Sequence, residues 1–250
     1  MPIPIPMSAP HFFVDVAGPL EPGRRVTLSA EDSNHALRAL RMKHGDGVTV
    51  SDDAGLVANG RLVDEEDGRA VVELDDVRLV VRRGALVSVA LAPPKGDRLS
   101  WAVQKLAELG VDEIVLLHAR RSVREWQPDR AGRAIQRLLT VAREAAMQSR
   151  QPFVPRVVEP RPFEEAVGPK GTLTVVLDPG ATARLSACLP EDATAVRLVV
   201  GPEGGFTDDE LERASDAGAV TASLGEQILR TETAAVVGAS LVLHRYGRLG

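Results

Sequence analysis

Two rhythms of apolar and polar residues divide the chain. Over residues 11–80, short apolar runs at 12–16, 48–51, 60–63 and 70–77 alternate with the turn sequences GPLEPG, HGDG, DDAG and DEEDG. Short runs punctuated by Gly and Asp predict strands, and several together predict a small β-barrel. One amphipathic stretch, SNHALRALRM, predicts a short helix with Ser33 or Asp32 as its cap. From residue 86 the period lengthens. LVSVALA, EIVLL, LTVVL, VRLVV and AVTASL are buried-type strands. Between them lie helical patterns. DRLSWAVQKLAELG puts Leu99, Ala102, Val103, Leu106 and Leu109 on one face and stops at Gly110. DRAGRAIQRLLTVAREAAMQS is a long amphipathic helix, TDDELERASDAG opens on Thr207 and Glu210 at capping-box spacing, and TAAVVGASLVLHRYG closes the pattern. Strands alternating with helices predict a parallel α/β sheet. The join falls at VRRGA, so domains of 1–80 and 81–250 are expected, with an extended tail at 1–6.

Composition sharpens this reading. At 250 residues, 44% hydrophobic, the chain can bury a core in each part. No apolar run approaches membrane-spanning length, and the N-terminus lacks a signal-peptide pattern. Cys188 is the single cysteine, which rules out an internal disulfide and fits the cytoplasm. No metal site and no membrane partner are expected. The net charge of −5 hides an asymmetry: residues 81–160 carry 14 Lys and Arg against 8 Asp and Glu, while both flanks are acidic. Local basic patches govern attraction to a polyanion; a solvated arginine-rich helix face is the alternative.

In a parallel sheet, ligands sit beyond the C-terminal strand ends. Three loops occupy such places: DPGA after Leu177, GPEGGFT after Val200, and GEQILRTETA after Leu224. No lysine follows the glycines and the spacing is not G-x-G-x-x-G, so known phosphate loops are excluded. Glu203 would repel a pyrophosphate. A neutral or cationic ligand suits the loop better, and S-adenosylmethionine is one. The competing reading is a tight turn whose glutamate caps the next helix.

LVVGPEGGFTDDEL and SLGEQILRTETA resemble the two cofactor-loop motifs of the RsmE-type 16S ribosomal RNA uridine-N3 methyltransferases, in the SPOUT superfamily. PPKGDRLSWAVQKLAELGVDEI, ARRSV and REAAMQSRQPFVPRV resemble its middle segments, and HFFVD with HALRALRMKHGDGVTVSD resembles its PUA-like barrel. The resemblance implies an α/β protein with an N-terminal PUA-like small β-barrel and a C-terminal SPOUT α/β domain with a deep trefoil knot. It also implies a homodimer acting on 16S ribosomal RNA or the small ribosomal subunit. The cofactor is expected at Leu177, Gly201, Pro202, Glu203, Gly204, Gly205, Leu224, Gly225, Ile228, Leu229, Arg230 and Thr231. Departures are Glu226-Gln227 for Pro-Arg, Arg137-Leu138 for Arg-Trp, the missing glycine after Gln148-Ser149, and His11 for Arg.

Methylating uridine N3 requires loss of the imide proton, alignment of the N3 lone pair, and stabilisation of the base anion. Arg230 is the candidate for holding the uridine; an ion pair with Glu232 or Glu226 is its structural alternative. Glu203 or Glu232 could accept the proton, against a role in helix-end electrostatics. Thr231 and Thr233 are expected to cap the last helix. For RNA phosphates the candidates are Arg130, Arg133 and Arg137 on one helix face, Arg120, Arg121 and Arg124 in a loop, Lys95 and Arg98 after a strand, and Arg38, Arg41 and Lys43 in the barrel. Two other readings stay open: a SPOUT methyltransferase with a different target, and an RNA-binding factor with a vestigial pocket.

Overall fold

A computed structural model describes residues 9–122, 128–168 and 171–250, with backbone but no side chains at 128–131. The expected tail at 1–6, Arg124 and the side chain of Arg130 lie outside the described residues. The chain folds into two compact units: Met1–Arg82 with Ala146–Val154, and Arg83–Ala145 with Pro155–Gly250.

The first unit carries β1 (His11–Phe13), β2 (Arg25–Thr27), β3 (Gly47–Ser51), β4 (Leu56–Glu66) and β5 (Arg69–Leu79). They form a mixed sheet of order β1-β3-β4-β5-β2, with β1 parallel to β3 and the remaining pairs antiparallel. Bulges at Asn59/Gly60 and Leu62/Asp64 bend the long β4–β5 hairpin around a core of Phe12, Leu28, Val50 and Leu74. Residues 146–154 close this unit. Ser51 Oγ donates to the Pro152 carbonyl (2.8 Å), and the Val154 amide donates to Asp53 Oδ1 (2.6 Å).

The helix expected over SNHALRALRM is different in kind. A short α1 (Ala30–Asn34) starts earlier and runs into a π-helical turn over His35–Ala39. Its cap is Ser29, whose Oγ accepts from the Asp32 amide (3.0 Å), not Ser33 or Asp32. Ser33 is fully buried and instead bridges the Leu28 carbonyl and the Ala70 amide.

Among the described residues the second unit holds six strands, all parallel: β6 (Leu86–Leu91), β7 (Glu113–His118), β8 (Arg156–Pro162), β9 (Leu173–Leu177), β10 (Ala195–Val200) and β11 (Val220–Ala222). Their order is β11-β9-β10-β6-β7-β8. The helices are α2 (Arg98–Leu109), α3 (Pro128–Ser149, whose end from Ala146 belongs to the first unit), α4 (Phe163–Ala166), α5 (Asp208–Asp216) and α6 (Thr231–Arg245). Alternate strand positions serve two layers. Val176, Val199, Ala90 and Val115 pack with Phe163 of α4 and Ala214 of α5. Leu177 and Leu198 meet α6 on the other face, so closely that a Cβ on Gly238 would lie 3.1 Å from each. α2 ends at Gly110 in the left-handed conformation, and the Thr207–Glu210 capping box opens α5. At the far end of the sheet Arg248 clamps Asp112, reaching Oδ2 at 2.5 Å and the carbonyls of Gly110 and Ala85. β8 escaped the sequence pattern because it carries Pro160 and Pro162 and few alternating apolar residues; the ladder tolerates them at an edge.

Candidate functional site

The C-terminal ends of β9, β10 and β11 and the start of α6 enclose a cavity of about 260 Å³. That is near the small end of the ~300–1,000 Å³ usual for small-molecule sites. One wall is the turn after β10. The Gly205 amide donates to the Pro202 carbonyl (2.8 Å), and Gly205 has φ +69°, the left-handed region that favours glycine. Gly201 is glycine for a steric reason: a Cβ there would lie 3.0–3.2 Å from the Phe206 ring. Phe206 in turn rests on Phe163, centroids 5.1 Å apart. Thr231 does not cap α6. Its buried Oγ1 donates to the Gly201 carbonyl (3.0 Å), and the N-cap of α6 is Arg230, with no side-chain capping bond. The helix start is thereby tied to the glycine turn.

The opposite wall is the 224–230 loop. Among the described residues, no backbone N–H or C=O from 224 to 229 makes a hydrogen bond within the protein. A row of unused donors and acceptors along an apolar cavity suits a ligand with a heteroaromatic edge. Leu177, Val200, Leu224, Leu229 and Ala234 supply the apolar surface, with Asp178 and Glu203 as anionic groups and Arg230 as the cation. A ligand that is part heteroaromatic and part cationic fits this set; a polyanion does not.

Eleven of the twelve residues expected at the cofactor line the cavity. Gly204 is the exception; its peptide faces Arg121. Arg230 is exposed and, among the described residues, ion-pairs with neither Glu232 nor Glu226. Glu232 lies off the cavity, on the side of α6 toward α2. It is 7% exposed, its Oε1 stands 3.5 Å from Arg98 Nε, and its buried Oε2 has no hydrogen-bond partner. Glu203 does not cap α5, because Thr207 does.

Residues 83–243 match the RNA methyltransferase domain model, and residues 28–75 match the RNA methyltransferase PUA domain model. The chain is 33% identical to ribosomal RNA small subunit methyltransferase E of Mycobacterium bovis, over 94% of this chain and 92% of that one. The chain belongs to the ribosomal RNA small subunit methyltransferase E family. The Bacillus subtilis member is 28% identical over 90% of this chain and 92% of its own. Among solved structures, the Neisseria gonorrhoeae member bound to S-adenosyl methionine superposes with TM-score 0.85 at 26% identity, covering 95% of this chain and 98% of that one. A Legionella pneumophila protein in complex with bound SAM gives the same score at 27% identity, covering 95% and 98%.

Five cavity residues of this family member were not singled out from the sequence: Asp178, Pro179, Val200, Gln227 and Ala234. The first two sit in DPGA, a loop already flagged by its place after a strand. Ala234 follows from Thr231 by one helical turn. The basic candidates fall into groups. Arg133 and Arg137, exposed and unpaired among the described residues, line a second cavity of about 270 Å³ with Gly96, Asp97 and Ser100 at the start of α2. The same helix buries Ile135, Leu138 and Ala142 on its other face. Lys95 is exposed, and Arg98 is engaged by Glu232. Arg38, Arg41 and Lys43 are exposed in the PUA-like unit, with Arg41 at φ +55°. Arg121 is spent on backbone: its Nη1 donates to the carbonyls of Gly204 (3.0 Å) and Phe206 (3.1 Å).

Proposed function

We propose that the chain transfers the methyl group of S-adenosylmethionine to N3 of a specific uridine in 16S ribosomal RNA. The observation that carries the cofactor half is the cavity after β9, β10 and β11, with its free peptide edge and acidic groups, in a chain of this family. S-adenosylmethionine supplies an electrophilic methyl group on a sulfonium. The residues at 224–229 offer their peptide groups to adenine, and Leu177, Leu224 and Leu229 exclude water around it. Asp178 and Glu203 face the cationic portion.

For the acceptor, Arg230 at the cavity rim holds the uracil and stabilises the anion left when the N3 proton departs. Glu203, which lines the cavity, takes that proton directly or through water in this reading. Glu232, next to Thr231 on α6, is off the cavity and pairs with Arg98, so it is not the base in this reading. N3 lies on the pairing edge of the base, so the target uridine is unpaired or flipped out. Arg133, Arg137 and Lys95, with Arg38, Arg41 and Lys43, contact phosphates. A homodimer is part of this reading. Exposed apolar side chains on α2 (Trp101) and α6 (Val237, Leu241) support it, as the family resemblance supports a trefoil knot around the cofactor loops and action in the cytoplasm. In this reading the domain of 1–80 adds RNA contacts to those of 81–250, which also carries methyl transfer.

Purified protein incubated with labelled S-adenosylmethionine and small-subunit RNA or subunits is expected to yield 3-methyluridine in a nucleoside digest. Ribose-methylated or guanine-methylated product alone refutes the uridine-N3 assignment and leaves methyl transfer standing.

A further inference from the structure

The turn after β10 has two sides. Pro202, Glu203 and Gly205 face the cavity, and Gly204 faces away. On that outer side lies the loop after β7, residues 119–122. A Cβ on Gly204 would lie 3.3 Å from Arg121 Cβ, so the Arg121 side chain occupies the space beside this glycine. Arg121 Nη1 donates to the carbonyls of Gly204 and Phe206, the residues that flank Gly205. The same loop is anchored a second time. The Arg120 amide donates to Glu210 Oε1 (2.9 Å), while Glu210 Oε2 accepts from the Thr207 amide (2.8 Å). Glu210 is 2% exposed, so its carboxylate is fully occupied by this junction. The loop holds itself through the Ala119 amide and Ser122 Oγ (3.0 Å).

We infer that Arg121 is a positioning residue for the cofactor loop, not a phosphate contact. With both carbonyls drawn outward by one guanidinium, the peptide planes of the turn are fixed. Pro202, Glu203 and Gly205 then keep their places on the cavity side when it is empty. A loop that must be ordered on binding loses affinity by the cost of ordering. This inference rests on the proposed cofactor reading.

The test is calorimetric titration of the full chain with S-adenosylmethionine, alongside RNA binding as a function of salt. Arg121→Ala is expected to weaken cofactor binding about tenfold, since it removes two charge-assisted hydrogen bonds. Arg121→Lys, whose point charge reaches one carbonyl at a time, is expected to recover part of that loss. The salt slope of RNA binding stays unchanged in both. An Arg121→Ala protein that keeps wild-type cofactor affinity overturns the inference. So does one whose salt slope falls by about 0.7, the value for one lost single-strand phosphate contact. If Arg121→Ala does not fold, Arg121→Lys and Arg121→Gln carry the comparison, and wild-type affinity in both overturns it equally. A wild-type chain that binds no S-adenosylmethionine refutes the cofactor reading instead.

Discussion

Replacing Thr231 by valine isolates one bond at the proposed cofactor site. Valine has the shape of threonine, so no cavity opens; the change exchanges a hydroxyl for a methyl group. Thr231 is 4% exposed, and its hydroxyl donates to the buried Gly201 carbonyl at 3.0 Å. Without it the carbonyl is unsatisfied, which costs about 1–3 kcal/mol. The molecule can relieve that cost by letting the 201–205 turn swing toward water, and the turn is a wall of the cavity. If about 2 kcal/mol is relieved this way, reclosing on ligand costs the same amount and affinity falls up to ~30-fold. Any part not relieved appears as a lower thermal midpoint, by about 2–4 °C per kcal/mol for a chain of this size. Titration calorimetry and a melting curve together account for both parts. Thr231→Ser restores the hydroxyl and is expected to return affinity to within a few-fold of wild type. A valine variant with unchanged affinity and unchanged midpoint would show that this bond does not hold the turn.

Gly201→Ala forces a Cβ against Phe206 and is expected to weaken cofactor binding, with about 1–3 kcal/mol of lost stability; the double variant Gly201→Ala/Phe206→Leu should regain part of both. Arg248→Ala removes the guanidinium that bonds Asp112, whose side chain is 10% exposed, together with the carbonyls of Gly110 and Ala85, and urea unfolding should show a loss of about 3–5 kcal/mol. Arg133→Ala combined with Arg137→Ala should reduce the salt slope of RNA binding by up to about 1.4, at 0.7 per contact, with cofactor affinity unchanged. Glu203→Gln should lower turnover far more than it lowers RNA affinity, whereas Glu232→Gln, off the cavity, should leave S-adenosylmethionine binding within a few-fold of wild type.

Elements with a strong period were legible in the sequence. The apolar stripe of α2, its Gly110 stop and the Thr207–Glu210 box depend on neighbours in the chain, and local spacing encodes them. So does the placing of glycine loops after strands, which pointed to three of the cavity walls. β8 was illegible because its prolines mimic a loop, and only its edge position makes them harmless. The 30–39 segment was misread because Ser33 looks like a cap until its burial against Ala70 is known. Strand order was equally hidden, since β9, β10 and β6 carry the same apolar pattern. Thr231 and Arg121 show the limit most clearly. Each bonds to a backbone carbonyl, 30 and more than 80 residues distant in sequence, and a carbonyl has no residue type to recognise.

Ser88 and Arg197 sit side by side on β6 and β10 and share a hydrogen bond across 109 residues of chain. Closing a flexible loop of that length costs about 4 kcal/mol before any contact repays it. Pairing of β6 with β10 is therefore expected late in folding, after helices and local hairpins form in microseconds. The cavity depends on β10, so ligand-binding competence should lag helix formation during refolding from urea. A chain whose circular dichroism has recovered would still, for a time, be blind to its cofactor.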